Sequence, residues 1–507
     1  MISSSYCAIY DFELFPYALG DVLTWNIQTA ICCEESGAGQ VDIFICLDSR
    51  YPASVFQKNL IVAENCYLHF NELFSAFGTH PNLGNIFIFM NRDQLLERLN
   101  DLAMDNISVK KTLDEYRQIL SERDSEDARV AYFMNYIYSH NRINQFMAKQ
   151  GRIPFLKPSR GCEPDVEGLV SKVFPGKRIV IVHPRLQRLD VGRGGEHTYS
   201  RDSEFLEWYE FIRTAGNLHP EVQFVVPGRQ QEKPLELLKL PNILSLRSMG
   251  LGLGHELTLI LESDLFIGTS SGFAAMANFS NVPYFITHMN KESCKAYQIK
   301  FGSDRLPFAS SEQILVYEQE TSEMLMALLE RGLSRPARYG EERGPKRSLE
   351  INVGSFEQER SKWLYPFATT SRFFVDDTTA DQESAYLLWP KVRDALNSVE
   401  QGTGTEQARK IVRRIEINFP RLNKRFPELI TLNTALSHNN GAKAFGRVLR
   451  VRQKLFTIIS YLNLNGVSHL VSRAKRMLGK IVRSSRRGSL LRDILHRIKI
   501  MKMRGIW

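Results

Sequence analysis

The feature that most constrains the fold is a repeated alternation of short apolar runs with longer amphipathic stretches. Residues 6–10, 41–47 and 85–90 are short runs that are almost entirely apolar. Runs of this kind are typical of strands that are buried on both faces of a parallel sheet. A helical spacing of apolar residues follows the first run, at 21–30. Residues 1–160 are therefore predicted to form an α/β domain.

The same alternation restarts after a segment rich in proline and glycine, residues 151–166. Such a segment is typical of a domain boundary. Beyond it, helical patterns separate predicted strands at 178–182, 223–226, 243–246, 264–267 and 282–287. The predicted fold class is thus α/β, with two Rossmann-like, doubly wound domains at 1–160 and 167–335. A peripheral or bridging helical region is predicted at 336–440, and a helical basic tail at 441–507.

Length and composition indicate a globular protein with more than one domain. The 507 residues exceed the size at which one core keeps growing, and 43% hydrophobic and 24% charged residues are ordinary proportions. Apolar runs stay shorter than the ~18 residues of a membrane span, and the N-terminus lacks the pattern of a secretion signal. Seven cysteines show no metal-ligand spacing. We therefore expect a cytoplasmic protein with reduced thiols, no metal and no cofactor.

The positive charge of the chain is concentrated at its end. Residues 441–507 hold 17 lysines and arginines and a single acid, Asp493, whereas the rest of the chain has more acids than bases. At 467–481 and 490–501 the apolar residues fall on one helical face and basic residues surround them. This arrangement predicts attachment to an anionic membrane surface. Packing on the protein body or on a partner is the alternative, and nucleic-acid binding is not expected because no recognised motif is present.

The segment 264–278 combines a predicted buried strand, a turn of small residues and a predicted helix. Thr269, Ser270, Ser271 and Gly272 form the turn. A turn of this type at the carboxyl edge of a parallel sheet can present backbone N–H groups and hydroxyls to a phosphate or a sugar, and glycine permits close approach. The alternative is an ordinary serine that caps the helix.

Basic residues follow the first predicted strand of the second domain. His183, Arg185, Arg188 and Arg201 lie after this strand. Arginine at such a position can pair with phosphate through two hydrogen bonds, which makes these residues candidates for diphosphate binding. Solvated surface arginines are the alternative for any one of them. Weaker candidates for a nucleoside pocket are Gly228, Arg229 and Glu256.

The segment 264–278 resembles the donor-binding signature of glycosyltransferases of the GT-B fold, in which two domains face a cleft. Residues 18–23, with the sequence ALGDVL, resemble the Leu-Gly-Asp-Val-Leu element of bacterial heptosyltransferases. That resemblance implies that Asp21 is the catalytic base, whereas its position also suits an aspartate that complements a helix dipole. Asp11 and Glu13, at the end of the first strand, are rival candidates. The chain has Ser270 and Ala275 where heptosyltransferases carry an aspartate and a histidine, so the donor is not expected to be the heptose.

The resemblance implies a glycosyltransferase that moves a sugar from a nucleotide-sugar donor to a glycan or lipid-linked acceptor. It further implies bacterial surface-polysaccharide or lipopolysaccharide synthesis and inversion at the sugar. No Asp-x-Asp element stands near a predicted donor strand, so dependence on a metal is not expected. With the basic tail, it places the protein peripherally on the inner face of the cytoplasmic membrane. A nucleotide-sugar epimerase on the same scaffold and a non-catalytic membrane-associated scaffold protein are the alternative functions.

Overall fold

The protein is described by a computed structural model. It describes residues 5–54, 57, 60–122, 140–159, 161–186, 202–229, 233–337, 384, 387, 388, 391, 395, 405–420 and 422. The chain divides into two compact units, residues 1–384 and residues 385–507. Both predicted α/β domains belong to the first unit. Within the described part of the second unit, one helix spans Thr405–Asn418, where the sequence pattern predicts a helix.

In the part of the chain that the structure describes, the first lobe has a parallel sheet of three strands. These are β1 (Ser5–Asp11), β2 (Gln40–Cys46) and β3 (Leu83–Phe89), in the order β1-β2-β3. Its helices are α1 (Leu19–Ser36), α2 (Cys66–Leu73), α3 (Arg92–Asp105), α4 (Ile107–Glu122) and α5 (Asn141–Gln150), and a 3-10 helix spans Phe74–Thr79.

Helix α1 is buried on all sides. Residues 22–33 are all shielded from solvent, as expected for a helix whose apolar residues surround its axis. On one side, Trp25 contacts Tyr10 of β1 with a ring-centroid distance of 5.2 Å. On another side, α1 packs against a helix of the second lobe. The start of α1 is therefore fixed between the two lobes.

Among its described residues, the second lobe contains a parallel sheet of six strands. They are β4 (Arg178–His183), β5 (Val222–Val225), β6 (Ile243–Leu244), β7 (Leu265–Thr269), β8 (Tyr284–Thr287) and β9 (Gln313–Leu315). The order is β6-β5-β4-β7-β8-β9, which is the order of a Rossmann sheet. From β4 the chain adds β5 and β6 on one side of the sheet and then β7, β8 and β9 on the other side. At such a switch point a crevice opens at the carboxyl ends of the two central strands, β4 and β7. The predicted pair of α/β lobes is confirmed.

Helices of the second lobe cover the sheet and complete the crevice. They are α6 (Glu163–Val173), α7 (Phe205–Leu218), α8 (Leu235–Leu238), α9 (Leu253–Glu262), α10 (Gly272–Asn278), α11 (Lys291–Tyr297) and α12 (Ser322–Leu333), and a 3-10 helix spans Leu246–Met249. The helix that packs against α1 is α10.

The segment between the lobes is tied to both of them. The N–H of Leu156 donates to the carbonyl of Phe279 in the second lobe, and the N–H of Lys157 donates to that of Thr79 in the first. Ile153 and Leu156 are buried. The proline-containing stretch that predicts a domain boundary therefore also helps to fix the lobes against each other.

Two expected properties, the absence of a membrane-spanning helix and the free thiols, can be compared with the structure. In the part that the structure describes, no helix is long and apolar enough to cross a membrane. All seven cysteines are described, and all are free thiols. The basic tail at 441–507 and most of the region 336–440 lie outside the described residues.

The buried side chain of His80, in the first lobe, is expected to make the stability of the protein sensitive to acid. His80 Nδ1 accepts the N–H of Asn82 at 3.0 Å, and Nε2 lies 3.0 Å from the hydroxyl of Thr29. Burial, assisted by the charge of Lys157, lowers the pKa of His80 to about 3. In the unfolded chain this pKa is about 6.5.

We expect the free energy of unfolding to fall as the pH decreases from about 6.5 towards 3, because the unfolded chain binds a proton that folded His80 excludes. The slope approaches about 1.4 kcal/mol per pH unit for this group. Urea unfolding at several pH values measures it, and the His80→Asn variant should show a shallower slope. Equal slopes in the two proteins would contradict the assignment.

Candidate functional site

A cavity of about 440 Å³ lies where the carboxyl edges of the two sheets meet. From the first lobe, residues 17–21 line it after β1, together with part of α2. From the second lobe, residues 183–186 line it after β4, residues 226–229 after β5 and residues 270–273 after β7. The cavity thus occupies the crevice between β4 and β7, where open α/β sheets bind ligands.

The two lobes touch at a pair of glycines on the cavity wall. A Cβ atom added to Gly272 would lie 2.9 Å from Leu19 Cβ and 3.1 Å from the backbone nitrogen of Gly20. A Cβ on Gly20 would lie 3.4 Å from Gly272 Cα. The absence of side chains at both positions therefore allows the starts of α1 and α10 to meet, and it brings Asp21 beside the turn of the second lobe.

The turn before α10 both caps that helix and forms part of the cavity wall. Ser271 caps the helix, because its hydroxyl accepts the N–H of Ala274, and it also lies 3.2 Å from His183 Nδ1. Ser270 lies on the cavity wall and its hydroxyl is 3.0 Å from that of Tyr297. Thr269 is 1% exposed and lies behind the wall. Since α10 has seven residues, its dipole contributes little, and the contribution of the turn comes from its hydroxyls and its close contact with α1.

Cations line the side of the cavity that follows β4, β5 and β6. Arg185, Arg229, Lys233 and Arg247 are all on the wall. Arg185 is 9% exposed and its Nε lies 3.8 Å from Asp202. Burial, followed by the charges of Lys233 and Arg185, lowers the pKa of His183 to about 3. The imidazole is therefore neutral at pH 7.

Glu256 is not on the cavity wall itself but forms polar contacts with groups that are. It is 1% exposed and accepts hydrogen bonds at 3.0 Å from the N–H of Gly228 and from Nε of Arg247. Lys233 Nζ lies 3.9 Å away and donates to Ser245 at 2.6 Å. Glu256 therefore positions groups of the wall, whereas the sequence pattern predicted it as part of a nucleoside pocket. Lys233 and Arg247 were not predicted. Lys233 does not directly follow a predicted strand, and Arg247, which follows the predicted strand 243–246, is a single basic residue with no surrounding pattern.

Arg229 spans the cavity. It forms an ion pair with Glu72 of α2, so it joins the second lobe to the first. Arg188 and Arg201, the remaining predicted diphosphate ligands, lie outside the described residues.

Asp21 is the half-buried carboxylate that the first lobe presents beside the turn. It lies in the first turn of α1 and on the cavity wall. The described structure thus brings together Asp21, His183, Arg185, Gly228, Arg229, Ser270, Ser271 and Gly272 around one cavity.

Asp11 and Glu13 are not among the residues that line this cavity. Asp11 is 1% exposed and accepts two hydrogen bonds from the guanidinium of Arg92, at 2.8 and 3.0 Å, and one from the hydroxyl of Tyr116 at 2.5 Å. Glu13 forms a 2.6 Å ion pair with the same arginine. Both carboxylates belong to a buried ionic cluster, which gives them a structural role and leaves them poorly placed to remove a proton from a ligand.

His140 and Tyr297 also line the cavity. His140 precedes α5, and Tyr297 is the last residue of α11. Neither was predicted, since each is a single residue at a helix end with no surrounding pattern. Among the described residues, no group of three or more His, Cys, Asp or Glu side chains is arranged to hold a metal ion.

Comparison with known proteins finds similarity in fold only. No protein-family model matches the chain, and no curated protein matches it. The structure is similar to ADP-heptose LPS heptosyltransferase II of E. coli, with 12% identity and a TM-score of 0.38, over 65% of this chain and 99% of that one. It is also similar to a family 9 glycosyl transferase of Veillonella parvula DSM 2008, with 11% identity and a TM-score of 0.36, over 66% and 99%.

A UDP-N-acetylglucosamine 2-epimerase is similar as well, with 10% identity and a TM-score of 0.32, over 73% of this chain and 97% of that one. The structural neighbours thus include the group that residues 18–23 resemble.

Proposed function

We propose that the chain is a glycosyltransferase that moves a sugar from a nucleoside diphosphate sugar to an acceptor hydroxyl. The observation that carries the proposal is that one cavity is lined by Asp21 from the first lobe and by Arg185 and Lys233 from the second. Transfer of a sugar from a diphosphate requires a base on one side and stabilisation of negative charge on the other. This cavity offers both.

In the proposed reaction, the carboxylate of Asp21 takes the proton of the acceptor hydroxyl. The acceptor oxygen attacks the anomeric carbon, and the bond from this carbon to the diphosphate oxygen breaks. The diphosphate leaves with the electron pair, and Arg185 and Lys233 stabilise its additional negative charge. A single displacement of this kind inverts the configuration at the anomeric carbon, and it does not require a metal because the cations of the wall neutralise the leaving group.

Binding of nucleoside diphosphates tests the donor side of the proposal. We expect calorimetric titration with UDP, ADP, GDP and CDP to identify at least one that binds, and Lys233→Met to weaken its binding by about tenfold or more, the scale of a hydrogen bond to a charged group. Lys239→Met is the matched control, because Lys239 belongs to the same lobe and is exposed, paired with Glu236. If none of the four bound, or if both variants behaved alike, the donor site would lie elsewhere.

Product analysis separates transfer from the alternative of epimerisation. An epimerase converts the nucleotide sugar without an acceptor, whereas a transferase needs one. We expect the donor alone to remain unchanged in configuration, and transfer to appear when lipid-linked glycans are supplied.

We further propose that residues 441–507 hold the enzyme at an anionic membrane, on the cytoplasmic face, where a lipid-linked acceptor in bacterial surface-polysaccharide synthesis is available. The support is the charge of this segment, with 17 basic residues and one acid. Each basic residue near an anionic surface contributes about 1 kcal/mol. The full chain should therefore sediment with vesicles that contain phosphatidylglycerol and remain in solution with pure phosphatidylcholine. Deletion of 441–507 should abolish sedimentation, and retention on the vesicles after deletion would contradict the proposal.

A further inference from the structure

The cavity has two chemically different sides. The cations Arg185, Lys233 and Arg247 follow β4, β5 and β6. Among the described residues, those that line the cavity after β7 and β8 are uncharged, and they include Ser270 and Tyr297. His140 of the first lobe joins this uncharged side, since its ring contacts that of Tyr297 with a centroid distance of 5.1 Å. We call His140, Ser270 and Tyr297 the polar face.

Several buried polar atoms near the polar face make no hydrogen bond within the described residues. His140 is 6% exposed and stacks on Phe279. Its ring interacts with the backbone of Ala296, yet within the described residues neither ring nitrogen makes a hydrogen bond of normal geometry.

Two further buried oxygens, the amide oxygen of Asn278 and the hydroxyl oxygen of Tyr284, also make no hydrogen bond within the described residues. The amide nitrogen of Asn278 donates to the hydroxyl of Tyr297 at 3.2 Å, but the amide oxygen has no partner in the described part of the chain. The hydroxyl of Tyr284, whose pKa is raised by burial and then by Tyr297, has none there either. Buried polar groups in native proteins are nearly always satisfied, so a ligand or ordered water in the cavity can supply bonds to the ring of His140, which lines it. Asn278 and Tyr284 are not among the residues that line the cavity.

The polar face suits the hydroxyl groups of an uncharged molecule. Burial lowers the pKa of His140 to about 4, so the imidazole is neutral at pH 7 and has one donor and one acceptor. The hydroxyls of Ser270 and Tyr297 also donate and accept. A carboxylate placed on this face would have no described cation to pair with, and its desolvation would be uncompensated.

The position of the polar face indicates which part of a substrate reaches it. The sugar and the nucleoside are attached to opposite ends of the diphosphate. Asp21 must lie beside the anomeric carbon, and it directly follows Gly20, whose backbone meets Gly272, two residues after Ser270. The sugar end is therefore directed to the β7 side, and the nucleoside end to the β5 and β6 side.

We propose that the polar face binds the hydroxyls of an uncharged donor sugar and that His140 and Tyr297 select for it. This inference rests on the proposed function, because it assigns one end of the same donor. It excludes uronic acids and other acidic sugars as preferred donors.

The experiment compares a free nucleoside diphosphate with its sugar conjugates by calorimetry. With the base identified above, uridine for example, the probes are UDP, UDP-glucose, UDP-galactose, UDP-N-acetylglucosamine and UDP-glucuronate. At least one neutral conjugate should bind more tightly than UDP and more tightly than the glucuronate. His140→Phe keeps the ring stacked on Phe279 and removes the nitrogens, so it should weaken the neutral conjugate about three- to tenfold and leave UDP unchanged.

His140→Gln, which retains a donor and an acceptor, should recover part of the lost affinity, and Tyr297→Phe should weaken the conjugate in the same selective way. Thermal midpoints check that each variant is folded. Equal loss for UDP and its conjugate in His140→Phe would place the nucleoside on this face and overturn the inference, as would tighter binding of the glucuronate. Failure of every diphosphate to bind would instead overturn the proposed function.

Discussion

Replacing Asp21 with asparagine is expected to lower kcat by about a hundredfold or more, the scale of general-base catalysis. The amide has nearly the shape of the carboxylate but cannot accept the proton of the acceptor hydroxyl. Because Asp21 and the cations proposed to bind the diphosphate come from different lobes, the affinity for the nucleoside diphosphate should stay unchanged. Steady-state kinetics and calorimetry measure the two quantities separately.

The first turn of α3 offers a matched control for Asp21→Asn. Asp93 is also an aspartate in the first turn of a helix of the first lobe, and it is exposed and paired with Arg50. Asp93→Asn removes a similar interaction with a helix dipole, worth about 0.3–1 kcal/mol, and should leave kcat unaltered. A comparable loss of kcat in both variants, or normal turnover in Asp21→Asn, would show that Asp21 only complements the dipole.

Replacing Asp11 with alanine is expected to destabilise the protein by about 3 kcal/mol or more, with any loss of activity following from unfolding. The substitution removes the acceptor of two hydrogen bonds from Arg92 and leaves the buried hydroxyl of Tyr116 without this partner. Removing one member of a buried ionic cluster has effects of this size because the remaining charge stays desolvated.

Urea unfolding measures the stability of Asp11→Ala, and kcat is determined at a temperature where the variant is fully folded. Turnover of the folded variant should then approach that of the unaltered protein. A stable variant with a hundredfold lower kcat would instead identify Asp11 as the base. The pair of substitutions at positions 11 and 21 therefore distinguishes a structural carboxylate from a catalytic one.

The fold was largely predictable because its strands carry a strong local signal. Val41, Ile43 and Ile45 on β2, for example, are fully buried, and the strand therefore appears in the sequence as an apolar run. Strand β9 was not predicted, because three residues at the edge of a sheet show no periodicity. The boundary segment was recognised by its prolines, but its hydrogen bonds to Phe279 and Thr79 depend on tertiary contacts that no local pattern encodes.

Part of the site was predictable because its residues lie in loops that follow strands. Arg185, Gly228 and Ser270 follow β4, β5 and β7, and parallel strands bring their carboxyl ends to one edge. Asp21 was found through the resemblance of residues 18–23 to a family element. Lys233, Arg247, His140 and Tyr297 reach the cavity from loops and helix ends, where position depends on the packing of distant segments.

The roles of neighbouring polar residues could not be separated from the sequence either. Asp11 ends β1 and Asp21 begins the helix that comes next, yet one is enclosed by Arg92 and Tyr116 whereas the other lies on the cavity wall. Ser270 and Ser271 are adjacent, yet one contacts Tyr297 and the other caps α10. These differences arise from side-chain environment, which sequence spacing does not specify.

The most direct test of the shared cavity is a crystal structure of the protein with the nucleoside diphosphate that binds most tightly. The account predicts diphosphate oxygens within hydrogen-bond distance of Arg185 or Lys233, with the terminal phosphate facing Asp21 across the cavity. A diphosphate bound away from these residues, or an Asp21 carboxylate separated from it by packed protein, would contradict the account.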